Sequence, residues 1–176
     1  EAAQEGGVIS LGVDPGRVGA AVLVDGAVVP LRCVRLWSWA PRGRGYRVAD
    51  LDGAADVASL HDVGVLVASG LPRCILVVEG LYVGPGRASS LALAEYAAQV
   101  YGPLLEHAVG DVLRPLAGRW RARVLRLPRC SAAAAERYAV AAAPLLVSGL
   151  GRLGAGGHGA EAACLAYYGW ATRRTT

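Results

Sequence analysis

Five consecutive apolar residues, Cys74-Ile-Leu-Val-Val78, run directly into a carboxylate, Glu79. No other stretch constrains the fold as much. An unbroken apolar run of this kind reads as a central strand buried on both faces, which needs helices above and below a sheet. The carboxylate at its end sits at the edge of the core. There an unpaired charge is costly and calls for a cation or a proton.

The rest of the chain supplies the remaining layers. Residues 8–13 form a short apolar run, stopped by the turn chemistry of Asp14-Pro15-Gly16. Residues 20–24 and 27–31 flank Asp25-Gly26, a strong hairpin signal, and the third strand is expected to continue to about Leu36. Residues 37–47 read as an exposed loop. Residues 50–68 have helix-like spacing at Leu51, Ala55, Ala58 and Leu66. Residues 88–108 read as a long helix that Pro103 should kink. Residues 124–127 are a further strand candidate. Ser131 is an N-cap candidate for a helix over residues 132–143. Six of the eleven residues from Gly149 to Gly159 are glycine, and a last helix is expected from about His158 to Ala171. The order β-β-β-α-β-α-β-α-α predicts an α/β fold, a mixed sheet of three antiparallel strands followed by parallel ones, flanked by helices.

At 176 residues the chain is one domain's worth, with no linker or repeat. With 54% apolar and 18% charged residues it is not a disordered tail protein. No apolar run reaches the roughly 18 residues of a membrane span. The start, Glu-Ala-Ala-Gln-Glu, lacks a basic signal-peptide region, and residues 1–7 are expected to be disordered or partly non-native. Cys33, Cys74, Cys130 and Cys164 are scattered, which fits reduced, mostly buried thiols rather than a zinc ribbon. A cytoplasmic location follows as an expectation.

All 18 basic residues are arginine, and the net charge is a mild +4. Their distribution is uneven. Arg114, Arg119, Arg121, Arg123, Arg126 and Arg129 occupy a stretch without an acid, and Arg42, Arg44 and Arg47 form a second cluster. Such patches fit a polyanion partner or a solvated basic face.

Three acids fall at element ends. Asp14 closes the first strand, Glu79 closes the central one, and Glu161 lies in the first turn of the last helix, on one face with His158. Singly, three of the four have a plain structural explanation: Asp14 as a turn former, Glu161 as a helix-dipole partner and His158 as a surface histidine; Glu79, directly after five apolar residues, does not. Together they form an oxygen-rich donor set suited to magnesium or manganese. Two such ions about 4 Å apart can activate water and stabilise a leaving oxygen in phosphodiester cleavage.

The motifs resemble those of a known family. Ile9-Ser-Leu-Gly-Val-Asp14-Pro-Gly-Arg-Val-Gly19 resembles the opening strand-turn-strand of RuvC-like Holliday junction resolvases, in the RNase H and retroviral-integrase superfamily. Val77-Val-Glu79-Gly-Leu-Tyr82 resembles their second acidic motif, and His158-Gly-Ala-Glu161-Ala-Ala-Cys-Leu-Ala their C-terminal helix. The first motif also occurs in sugar kinases and actin-like ATPases, but those need a far longer, duplicated chain. The resemblance implies one RNase H-like nuclease domain over residues 1–176. Asp14, Glu79, His158 and Glu161 would be its catalytic and metal-binding residues, with Mg2+ or Mn2+, two ions per site. It further implies that Tyr82 stacks on bases, that residues 88–105 form a homodimer interface, and that four-way junction DNA is the partner. Arg123, Arg126 and Arg129 are the candidates for phosphate contact. No nucleotide cofactor and no membrane are implied, and the protein would be intracellular and nucleoid-associated. One departure stands out: Glu161 replaces the usual Asp, and its extra methylene moves a carboxylate by roughly 1 Å where magnesium tolerates little distortion. A nuclease acting on structured RNA, a non-catalytic junction-binding protein and an actin-like nucleotide-binding fragment stay open as alternatives.

Overall fold

The computed structural model describes residues 7–80, 88–107, 109–127 and 129–174. Tyr82 and residues 1–6 lie outside them. Its centre is a mixed sheet. β1 (Ser10–Asp14), β2 (Gly19–Asp25) and β3 (Leu31–Arg42) are antiparallel neighbours; β6 (Cys74–Val78) and β7 (Val109–Leu113) extend the other side in parallel. β4 (Gly45–Asp50) and β5 (Ala54–Val57) add an antiparallel edge, giving the order β5-β4-β3-β2-β1-β6-β7. The short β8 (Val147–Ser148) pairs with the start of β3.

Helices cover both faces, as the apolar β6 requires. One core layer joins α1 (Leu60–Ala68) and α2 (Ala88–His107) to Leu11, Val13, Trp37, Trp39, Leu76 and Val78. The other joins α3 (Ala117–Val124), α4 (Ala132–Leu146) and α5 (Gly157–Arg173) to Ala20, Val22, Leu36, Ile75 and Val77. The alternation of side chains along each strand sorts neighbouring residues into these two layers.

α5 lies closest to the sheet. Ala160, Ala162, Ala163 and Ala166 are fully buried. A Cβ on Gly12 would run into the backbone of Ala162 and Ala166, so β1 approaches the helix only because that position is glycine. This contact sets the height of α5 above the end of β1.

Four expectations need correction. Residues 37–47 are not a loop: β3 continues to Arg42 and turns into β4, with Trp37 and Trp39 buried. Residues 50–68 are not one helix. Asp50 Oδ1 accepts from the backbone of Asp52 and Gly53 to make a turn, β5 follows, and Ser59 caps α1 by accepting from the Asp62 N–H. Residues 124–127 are not a strand but the end of α3 and the bend after it; the strand is β7. The β2–β3 connection spans residues 26–30 rather than two residues, and β3 begins only after Pro30, which has no N–H for a ladder.

Candidate active site

The C-terminal ends of β1 and β6 lie side by side, because the two strands are parallel and adjacent. Val13 and Val78 point into the α1–α2 layer. The next residue of each chain segment, Asp14 and Glu79, therefore turns to the α5 side. The N-terminus of α5 arrives there carrying His158 and Glu161. Sequence separations of more than sixty residues are thus closed by strand adjacency and by the α5–β1 contact.

Each acid is held differently. Asp14 Oδ2 lies 2.6 Å from His158 Nδ1. Trp120 Nε1, on the fully buried ring of α3, donates to Glu79 Oε2 at 3.0 Å. The Arg121 guanidinium lies between the other two acids, with Nη2 3.9 Å from both Glu79 Oε1 and Glu161 Oε1. Burial raises Glu79 above the usual carboxylate range, opposed by the Trp120 hydrogen bond and by Arg121. Glu161 is pushed up to about 7, first by burial and then by the charges of Asp14 and Glu79. The Asp14 hydrogen bond raises His158, with Glu161 and Glu136 adding to it and burial opposing. Glu136, on α4, packs its carboxylate where a side chain on Gly157 would stand, beside the start of α5.

Beside Glu79 a cavity of about 440 Å³ opens between the end of β6, α2 and Arg114. Tyr101 lines it. Its hydroxyl is buried with no hydrogen-bond partner among the described residues, and burial with the Asp14 and Glu79 charges raises it well above its ordinary value.

The likeness of this chain to known proteins is one of shape. A solved structure titled "Thermus thermophilus RuvC structure" matches 96% of this chain and 98% of its own, with a TM-score of 0.55 and 14% identity. The chain has a RuvC-like fold. A second structure, Thermus thermophilus RuvC in complex with a Holliday junction substrate, matches 95% of this chain and 96% of its own at a TM-score of 0.48 and 15% identity. No protein-family model and no curated protein sequence matches the chain.

On this RuvC-like fold, Asp14, Glu79, His158 and Glu161 come together at one end of the sheet. The predicted phosphate contacts do not join them. Arg123 donates to the Ala171 carbonyl and lies over the Tyr168 ring, bracing α3 against α5. Arg126 and Arg129 are exposed beyond the end of α3 that faces away from the acids. Sequence reasoning missed Trp120, Arg121 and Tyr101 as neighbours of the acids. For the first two a signal existed: a Trp-Arg pair inside the acid-free basic stretch.

Three carboxylates and an imidazole are a hard donor set of the kind that holds a divalent cation, and burial of Glu161 beside the charges of Asp14 and Glu79 favours one. As placed, no three such side chains among the described residues converge on one point, and the positive charge between Glu79 and Glu161 is Arg121. The residues fit the ion in donor type and charge.

Proposed function

We propose that this protein is a metal-dependent, structure-selective endonuclease that resolves four-way DNA junctions, with residues 1–176 acting as one nuclease domain. The observation that carries the reading is the meeting of Asp14, Glu79 and Glu161 at the ends of β1, β6 and α5, on a RuvC-like fold. Magnesium or manganese, when bound by Asp14, Glu79, Glu161 and His158, would supply Lewis-acid stabilisation of the phosphate and a more acidic water.

The chain's own groups orient that chemistry. The Trp120 N–H fixes one Glu79 oxygen, leaving the other facing the site. His158 Nδ1 fixes one oxygen of Asp14. The Asp14 hydrogen bond, with the Glu161 charge adding to it, raises the hold of His158 on a proton in the metal-free site; as a ligand to the ion it would be the neutral imidazole. Arg121 balances Glu79 and Glu161 and, once an ion took its place, would meet a phosphate in their stead. Water attack in line would leave a 5′-phosphate and a 3′-hydroxyl. A homodimer through α2 would pair two such sites and place the nicks symmetrically. The work would be intracellular, on the nucleoid. Among the described residues no helix is long and apolar enough to cross a membrane.

One observation favours a second reading. A guanidinium already neutralises Glu79 and Glu161, which suits a protein that binds junctions without cutting them. The test is cleavage of a labelled mobile four-way junction in magnesium and in manganese, beside Glu79→Gln. Paired nicks that spare linear duplex and fall by more than about 100-fold in the variant are expected, since even an outer partner of a metal ligand is worth 10–100-fold. Tight binding without cleavage in either metal would establish the second reading, and neither binding nor cleavage would overturn both.

A further inference from the structure

We propose that the β3–β4 hairpin is a nucleic-acid clamp, gripping the sugar-phosphate backbone of a duplex arm that leads into the acid cluster. The proposal deepens the nuclease reading and rests on it.

The hairpin points the right way. β3 runs antiparallel to β2, and their last pair is Gly19 with Trp39, beside the pair of Asp14 with Ala20. Ala40, Pro41 and Arg42 continue past that pair, held only by β4. At 3.2–3.4 Å per residue the arm overhangs the acid end of the sheet by about 10 Å. It is also tied to the site: Trp39 Nε1 donates to the Gly16 carbonyl at 3.0 Å, in the turn that follows Asp14.

One face of the arm is open. Trp39 and Val48 pair with each other and point into the α1–α2 layer. By alternation Ala40, Arg42 and Arg47 point to the opposite side, the side to which Asp14 and Glu79 turn. No residue of β4 or β5 enters the core beneath α3, α4 and α5, and all three of those arm residues are exposed. The result is a shelf beside the acids rather than a covered sheet.

The shelf is basic where it meets the site. Arg42, Arg44 and Arg47 cluster at the tip, and exposed Arg17 lies in the neighbouring β1–β2 turn. Asp56 pairs with Arg42 at 3.9 Å and Arg47 at 3.2 Å, while Arg44 has no partner among the described residues. The hairpin's other acids, Asp50 and Asp52, lie at its opposite end. Exposed pairs such as those with Asp56 are weak in water, so a phosphate can replace that carboxylate. A flat basic shelf without exposed aromatic rings suits backbone contact, which does not depend on sequence.

The test is the salt dependence of binding to a labelled four-way DNA junction and a linear duplex. The unaltered chain, the triple variant R42A/R44A/R47A, Asp56→Ala and a distant control, Arg32→Ala, would be compared. Each lost phosphate contact should make the slope of log K against log salt shallower by about 0.9. The triple variant should lose about two to three in slope and at least 10-fold in affinity at low salt. Asp56→Ala should bind more tightly and Arg32→Ala should be unchanged. Arg44→Ala alone, which breaks no pair, should lose about one in slope and guards against misfolding of the triple variant. Junction binding and cleavage by the unaltered chain, with the same slope in the triple variant and in Arg44→Ala, would overturn the clamp and leave the nuclease reading standing. No binding to any nucleic acid by the unaltered chain would overturn both.

Discussion

The two faces of the sheet are packed by different means. On the α5 side, large residues such as Trp120, Leu36 and Leu165 fill the layer, but the contact of α5 with β1 is made through small ones: Gly12 against Ala162 and Ala166, and Gly169 against Ser10. On the other side the packing is made of large ones, with Leu11, Trp37, Trp39, Leu60 and Leu104 buried. Large side chains supply apolar area, and small changes among them are absorbed by repacking. Small residues supply close approach and leave nothing to repack. The acids depend on the small-residue face, because it sets where His158 and Glu161 stand relative to Asp14. Position on one face and stability on the other are therefore separable.

Gly12→Val should break that separation most severely. The added side chain has backbone on the far side of the contact, so α5 must lift. A loss of about 3 kcal/mol or more is expected, with cleavage lost even in whatever fraction stays folded. Leu11→Ala, its neighbour on the other face, should cost about 2–5 kcal/mol yet leave the cleavage rate of the folded fraction nearly unchanged. Urea unfolding paired with single-turnover cleavage measures both. Equal loss of rate per folded molecule in the two variants would refute the comparison.

Glu161→Gln sharpens it. Because the folded state holds the Glu161 proton up to about pH 7, the favourable contribution of the protonated group is complete below about 4.5 and disappears as pH rises through about 7. Without divalent metal, the glutamine variant should therefore be more stable than the parent at pH 8, on the order of 1–3 kcal/mol, and equal to it at pH 4. Thermal melts at the two pH values test this. Added magnesium should stabilise the parent and not the variant. A variant less stable than its parent at pH 8 would mean that the carboxylate is held by partners rather than penalised by burial and by the neighbouring acids.

Trp120→Phe should have the smallest effect on stability. It keeps most of the buried ring but removes the donor to Glu79 Oε2. About 1 kcal/mol of stability and 10–100-fold in cleavage are expected to go. Full cleavage in this variant would show that Glu79 is positioned by its strand alone.

The site residues were legible to different degrees. Glu79 could be read because it directly follows an apolar strand, where a carboxylate calls for something that answers its charge, and Asp14 because it closes one, although turn chemistry alone would also explain it. Glu161 and His158 could be read from helical spacing. Arg121 could be assigned to a basic stretch but not to the acids, since the distance from residue 121 to residue 79 is closed only by α3 docking beneath α5. The failures of the strand reading share a cause. β7 and β5 are the sheet edges, where one side of the ladder is open, and β4, paired on both sides, has one face that α3, α4 and α5 do not cover, so side chains on all three meet water. Such strands tolerate Gly110, Asp111 and Arg47, and their hydrophobic pattern dissolves. Asp111 even serves there, pairing with Arg173 of α5.

Local chemistry thus dictated the central strands, the helix caps at Ser131 and the placement of acids at element ends, because burial on two faces and orphaned N–H groups leave few residue choices. The meeting of those acids, the guanidinium between two of them and the exposed basic shelf came only from the tertiary structure. They depend on which strands become neighbours and on how closely α5 approaches β1, and neither is encoded in any short stretch of the chain.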